Sequence, residues 1–235
     1  MIVILLYLQV MNSFSNKISI QVNENIYLKD PMSSELGKSI ISESIHMIDE
    51  LGFDDFTFKK LAKHIQSTEA SVYRYFTNKH NLLTYLTMWY WSWLDYRVMT
   101  ATLNIPDPKV QLRKAVNEVT KEITEDSDFA QINEVKLSKI IIAESSKIYL
   151  SKKVEEDNEH GFFLPYKDLV QRIADIILLI NPAYKYPHML VSTIIEGAHH
   201  QRYFSVHLPR LTDIIDGEDA ITNFYVQMAD QLIQS

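Results

Sequence analysis

Apolar residues recur along most of this chain at three- and four-residue intervals, the period of an α-helix with one buried face. Over residues 34–50 the stripe is Ile41, Ile45 and Ile48, with Ile40, Met47 and Leu51 beside it. Gly52 follows the last apolar position and reads as the cap that ends this helix. After Phe53 to Phe56, Thr57 is a good N-cap for a short second helix. Its Phe58, Leu61, Ala62 and Ile65 fall at i, i+3, i+4 and i+7 and form one buried face. Gln66 and Ser67 break the stripe. Thr68 caps a third helix ending near Phe76, with Glu69 placed for the helix dipole, and Asn78 caps a fourth from Lys79 to about Leu103.

Pro106-Asp107-Pro108 separates this region from the rest. Beyond it the periodicity predicts helices over 109–124, 134–150, 166–180, 187–207 and 217–233, with the acidic stretch 155–161 as a loop. Three helices in about 40 residues, with a tight turn before the third, make a helix-turn-helix unit. The expected fold is therefore all-α. Residues 1–33 are expected to be an extended or poorly ordered N-terminal extension, 34–80 the helix-turn-helix domain, and 81–235 a larger helical domain.

Composition agrees. Of 235 residues, 46% are hydrophobic and 23% charged, as in an ordinary globular protein, and 5 Gly with 7 Pro leave little material for the turns of a β fold. The absence of Cys excludes disulfides, thiolate zinc sites and cysteine nucleophiles, and it fits a reducing cytoplasm. The apolar run from Met1 to Val10 has no basic flank or small-residue cleavage site and is too short to span a bilayer. It points to a translation start at Met11 as readily as to a used segment. Ile18, Ile20 and Val22 alternate as in a short extended stretch.

Charge adds the first functional hint. The chain carries a formal −7, which argues against indiscriminate nucleic-acid binding. Between Phe56 and Asn81, however, Lys59, Lys60, Lys63, Arg74 and Lys79 face one acid, Glu69. That window is +4 and the remainder −11, a local basic island on an acidic molecule.

The run from Phe56 to Leu82, FTFKKLAKHIQSTEASVYRYFTNKHNL, resembles the DNA-binding domain of the TetR family of bacterial regulators. Gly52-Phe53, Phe56-Thr57, Leu61-Ala62, Val72-Tyr73-Arg74-Tyr75-Phe76, Lys79 and Leu82 carry the likeness, which covers about 45 residues. Gln66 and Ala70 stand where the family often has Gly. A left-handed backbone at Gln66 is strained by about 1 kcal/mol. The resemblance implies a transcriptional regulator, a repressor in most cases, that binds pseudo-palindromic double-stranded operator DNA. It also implies a homodimer formed through the last two helices and a small-molecule effector held in the C-terminal helices. It implies no catalysis, cofactor, metal or membrane.

In a helix-turn-helix the second helix enters the major groove with its N-terminal residues towards base edges. Thr68, Glu69, Ala70, Ser71 and Arg74 are thus the candidate readers: Glu69 for a cytosine amino group, Arg74 for guanine, Ala70 for a thymine methyl. Glu69 reads equally as a surface residue favoured by the dipole. Tyr73 and Lys79 match the family's phosphate-contacting positions, although Tyr73 could be core. Thr57 and Lys59 complete the expected DNA-binding set, and Lys60 and Lys63 add attraction without sequence information. In the C-terminal domain, Trp89, Trp93, Tyr149, His199 and Tyr203 are the aromatic candidates for the effector, with plain core packing as the alternative.

Two rival readings remain open. Glu196-x-x-His199 has the i, i+3 spacing of di-iron carboxylate bundles, and His200 adjoins it, but no second such pair occurs. The chain also has no His-Glu-x-x-His motif, phosphate-binding Gly-rich loop or nucleophile elbow, so an enzyme is disfavoured. The other rival is a helical interaction protein that keeps the fold without binding DNA.

Overall fold

Side-chain caps set most helix starts. Ser34 accepts from Gly37 at α1 (Glu35–Leu51), Thr57 from Lys60 at α2 (Phe58–His64), and Thr68 from Ser71 at α3 (Glu69–Tyr73). Asn78 accepts from Asn81 at α4 (Lys79–Thr102), Asp107 from Lys109 at α5 (Pro108–Thr120), and Asn133 from Lys136 at α6 (Glu134–Tyr149). Then come α7 (Val154–Glu159), α8 (Leu164–Ile180), α9 (Pro187–His207) and α10 (Ala220–Gln234). This computed structural model describes residues 20–125 and 131–234, and among these there is no strand. The fold is all-α. None of the described helices is long and apolar enough to cross a membrane.

Two elements differ from the sequence reading. The stretch expected as an acidic loop contains α7, because Glu155, Glu156 and Asp157 occupy its first turn, where the helix dipole favours negative charge. The third helix, α3, stops at Tyr73 rather than near Phe76. Tyr75 and Phe76 instead turn inward and are buried, and the Tyr75 hydroxyl meets Ser34 Oγ at 2.8 Å.

The N-terminal extension also differs where it is described. Residues 1–19, with the apolar run, Met11 and Ile18, lie outside the described residues. From residue 20 the chain is packed rather than loose. It makes short 3-10 turns at Glu24–Ile26 and Pro31–Ser33, buries Ile26, and donates from Leu28 N–H to the Tyr75 carbonyl at 2.8 Å. Gly37 lets α1 approach this strap: a Cβ there would lie 2.1 Å from the Pro31 carbonyl oxygen.

The long helix α4 organises the molecule. It contacts α5, α6, α8 and the first N-terminal turn, and every residue from Leu82 to Trp91 is buried. A helix apolar all round is a core helix, and this one joins the α1–α3 head to the body. In the body, α5, α8, α9 and α10 pack on one another, and Gly197 brings α9 so close to α10 that a Cβ would meet the Tyr225 hydroxyl at 2.3 Å.

Candidate nucleic-acid interface

The head is built around Phe56, Phe58, Leu61, Val72 and Phe76, all buried. Between α2 and α3 the chain turns through Gln66 at φ 53°, while Ser67 N–H donates to the Ala62 carbonyl at 2.8 Å. This is a Schellman-type end in which Gln66 takes the left-handed position that glycine usually fills. The expected strain is therefore present, and the turn still forms.

With Val72 and Phe76 turned in, the opposite side of α3 faces outward. Thr68, Glu69, Ala70 and Arg74 are exposed and Ser71 is half-exposed. Thr68 Oγ1 is committed twice, accepting from Ser71 N–H at 3.2 Å and meeting Ser71 Oγ at 2.8 Å, so the cap pre-orders the first turn. Tyr73 is 45% exposed, its ring edge-on to Phe58 at 5.1 Å between centroids, so the core fixes the ring and leaves it accessible. Thr57, Lys59 and Lys63 are exposed beside it, and Lys60 Nζ donates to the Asp55 carbonyl at 2.7 Å.

Lys79 behaves differently from what its position implied. Its ammonium donates to the carbonyls of Phe53, Asp54 and Phe56 at 2.9, 3.0 and 3.2 Å and lies 4.7 Å from the Phe53 ring centroid. Those three bonds use the full donor capacity of an ammonium group. The side chain expected at a phosphate instead ties the start of α4 to the loop between α1 and α2.

Residues 40–86 match the family model described as bacterial regulatory proteins, tetR family. These residues form a tetR-family domain. No curated protein matches the chain. Solved structures share the tetR-type fold at low identity. FadR of Bacillus halodurans, a fatty acid degradation regulator, is 16% identical, with 83% of this chain and 96% of that one covered at a TM-score of 0.55. PfmR, a TetR family transcriptional regulator from Thermus thermophilus, is 13% identical over 83% and 97% of the two chains, with a TM-score of 0.54. AibR, solved with isovaleryl coenzyme A and operator DNA, is 14% identical over 83% and 97%, at 0.55.

Polar contacts join the tetR-family head to the body. Lys147 on α6 bridges Asp54 of the head and Glu144 at 2.7 and 2.8 Å, and its hydrogen bond holds the Asp54 carboxyl below its ordinary pKa. Glu144 also accepts from Phe53 N–H at 3.4 Å. Lys136 reaches His46 Nδ1 at 2.8 Å and Asp49 at 3.6 Å. His80, in the first turn of α4, meets Asp157 of α7. Apart from the i, i+3 pair Lys147–Glu144, none of these contacts had a periodic signal in sequence, since even His80 and Asp157 stand 77 positions apart.

The five effector candidates do not converge. Tyr149 and His199 line a seam with Trp91, Ile141, Ile142, Ser145, Glu196 and His200, and it leaves no room for a water molecule. Trp89 and Trp93 do not line it: they stack on each other at 6.2 Å, with Arg97 over Trp93. Tyr203 is exposed and rests on His207 at 4.3 Å. Helical period explains the difference, because Trp91 lies two residues from each of the other tryptophans and so on another side of α4. The aromatic Trp91 and Tyr166, 4.1 Å apart and nearly parallel, were not among the candidates.

The Glu196, His199 and His200 side chains also diverge. Tyr166 donates to Glu196 Oε1 at 2.8 Å, His199 Nε2 meets the Tyr90 hydroxyl at 3.2 Å, and His200 Nδ1 bonds the Glu196 carbonyl at 2.8 Å. Among the described residues no three His, Asp or Glu groups are placed to hold a metal ion. Burial drives the His199 pKa down to about 4, so the ring is neutral, and the same burial pushes the Tyr90, Tyr149 and Tyr166 phenols up.

Proposed function

We propose that this chain is a transcriptional regulator, a repressor in its simplest form, that binds pseudo-palindromic operator DNA as a homodimer. Residues 34–80 are the reading head and 81–235 the effector-binding and pairing body. The observation that carries this is the presentation of α3: Val72 and Phe76 anchor it while Thr68, Glu69, Ala70, Ser71, Tyr73 and Arg74 stay available to a groove. Thr57, Lys59 and Lys63 flank that face and supply phosphate attraction.

The exposed apolar side chains Met189, Val206, Phe224 and Leu232 on α9 and α10 support pairing of two copies through these helices. Two-fold pairing places half-sites one or more helical turns apart. AibR's capture with an acyl thioester and operator together supports an effector-modulated reading of this chain as well. The ligand then acts by binding the operator-incompetent arrangement more tightly. A regulator of this kind works where the chromosome is, in the cytoplasm, and needs no catalytic group or cofactor.

Sequencing of genomic fragments retained by the purified protein tests the reading. A recurrent inverted repeat is expected, lost from the Tyr73→Ala variant and relaxed at one position in Arg74→Ala. Retention of no sequence above background by folded dimer would leave an interaction protein without operator binding.

A further inference from the structure

We propose that the seam between α4, α6 and α9 opens to take a flat organic cation, its charge paired with Glu196 and its ring held against Trp91, Tyr149 and Tyr166. This rests on the regulator reading and names the chemistry of its effector. The first argument is the state of Glu196. It is half-buried, accepts from the Tyr166 hydroxyl, and makes no ion pair among the described residues. Other carboxylates of the body that are shielded to a similar degree do have cations: Asp95 has Arg172, Glu118 has Arg97 and Lys121, and Asp219 has Arg202. A partly desolvated carboxylate without a counter-charge is costly, and a bound cation removes that cost.

The second argument is what surrounds it. Trp91 stacks on Tyr166 on one side and on His199, 5.6 Å away, and Tyr149 lies 5.9 Å from Tyr166. Aromatic faces carry negative potential and attract cations, most strongly when shielded from water. The buried His199 ring, being neutral, does not offset this. An anionic ligand meets repulsion from the same carboxylate, and a neutral one leaves it unpaired.

The third argument is shape and access. The parallel Trp91 and Tyr166 rings make a slot for a planar group once they part. Tyr166 sits in the first turn of α8, an end with no side-chain cap, whereas Trp91 is fixed in mid-α4, so the slot opens on the Tyr166 side. Its mouth is at exposed His200 and half-exposed Ser145. Ser145 and Tyr149 share α6 with Glu144 and Lys147, which hold the head loop. A ring inserted here displaces the helix that positions the head.

The test is titration of the full chain, without DNA and at pH 7.5, with 9-aminoacridine (cationic), acridine (neutral) and acridine-9-carboxylate (anionic), read by calorimetry. The cation is expected to bind at least tenfold more tightly than either relative, and Glu196→Gln to remove that preference while acridine binding stays unchanged. Equal affinities for the three frames on the wild-type protein, or a preference that survives in Glu196→Gln, overturns the proposal. The wild-type comparison stands even if the variant misfolds. Operator retention by the unliganded protein is scored separately: operator binding without cation preference sinks only this inference, and cation preference without operator binding sinks only the regulator reading.

Discussion

His80 Nε2 lies 3.0 Å from Asp157 Oδ2, which ties the first turn of α4 to the short helix α7. Asp157 is buried there, so the pair is shielded from competing water. Removing either partner is expected to cost about 1–3 kcal/mol, the range for a hydrogen bond with a charged group that leaves its partner unpaired. His80→Ala and Asp157→Ala should each lower the urea midpoint and speed amide exchange across 154–160. The double variant should be little worse than either single one, whereas additive losses would show that the two residues act independently.

Lys79→Ala is expected to lower stability by about 2–3 kcal/mol, because three loop carbonyls lose their donor. It should also weaken binding to every DNA sequence by loosening the head on α4. The salt dependence separates this role from a phosphate contact. Loss of one phosphate contact flattens the slope of log K against log salt by about one unit. An unchanged slope is expected here.

Gln66→Gly is expected to raise stability by up to about 1 kcal/mol, since glycine adopts the positive φ at that turn without a Cβ penalty. Thermal denaturation checks it, and a lower Tm would mean that the Gln66 side chain has a role of its own.

His199 makes the fold acid-sensitive. Its pKa of about 4 in the folded chain lies below the ordinary 6.5, so between these values the unfolded chain takes up a proton that the folded one refuses. Stability contributed by the neutral ring is therefore complete above pH 6.5, falls as pH drops, and is gone below about 4. The loss over that window is on the order of 3 kcal/mol. Urea midpoints of wild type and His199→Phe at pH 7, 6 and 5 check it. The wild type should fall more steeply, and parallel curves would assign the acid sensitivity to other groups.

The proposed operator binding assigns Tyr73 and Arg74 different roles. Tyr73→Phe should lower operator affinity several-fold without changing the preferred sequence, as a lost backbone contact does. Arg74→Ala should relax preference at one operator position, at about 1–3 kcal/mol of discrimination. Binding-site selection with each variant separates the two outcomes.

The head was legible in the sequence because its information is local. Thr57, Thr68 and Asn78 announce helix starts by their own side chains, and Phe58, Leu61 and Ala62 repeat at helical period. The body was legible only as helices. Three tryptophans within five residues of α4 look alike in sequence, yet the neighbours supplied by α6, α8 and α9 decide that Trp91 alone meets the seam. Lys79 was misplaced for a similar reason, since nothing local reveals that the carbonyls near residue 54 come within its reach. The helix α7 was missed because its acidic first turn has no side-chain cap to announce it, and the His80 that meets Asp157 is 77 residues away.

The 24 residues of α4 run without Gly or Pro, the usual causes of a kink, and the neighbouring helices enclose its middle. It therefore acts as a stiff lever about 36 Å long. A tilt of about five degrees pivoting at Trp91, about 18 Å from Lys79, sweeps the Lys79 end through about 1.5 Å, enough to stretch its hydrogen bonds out of range. Small rearrangements around Trp91 are thus magnified in proportion to the length of this rod, and in a two-fold pair the spacing between reading heads changes by twice the component along the line joining them.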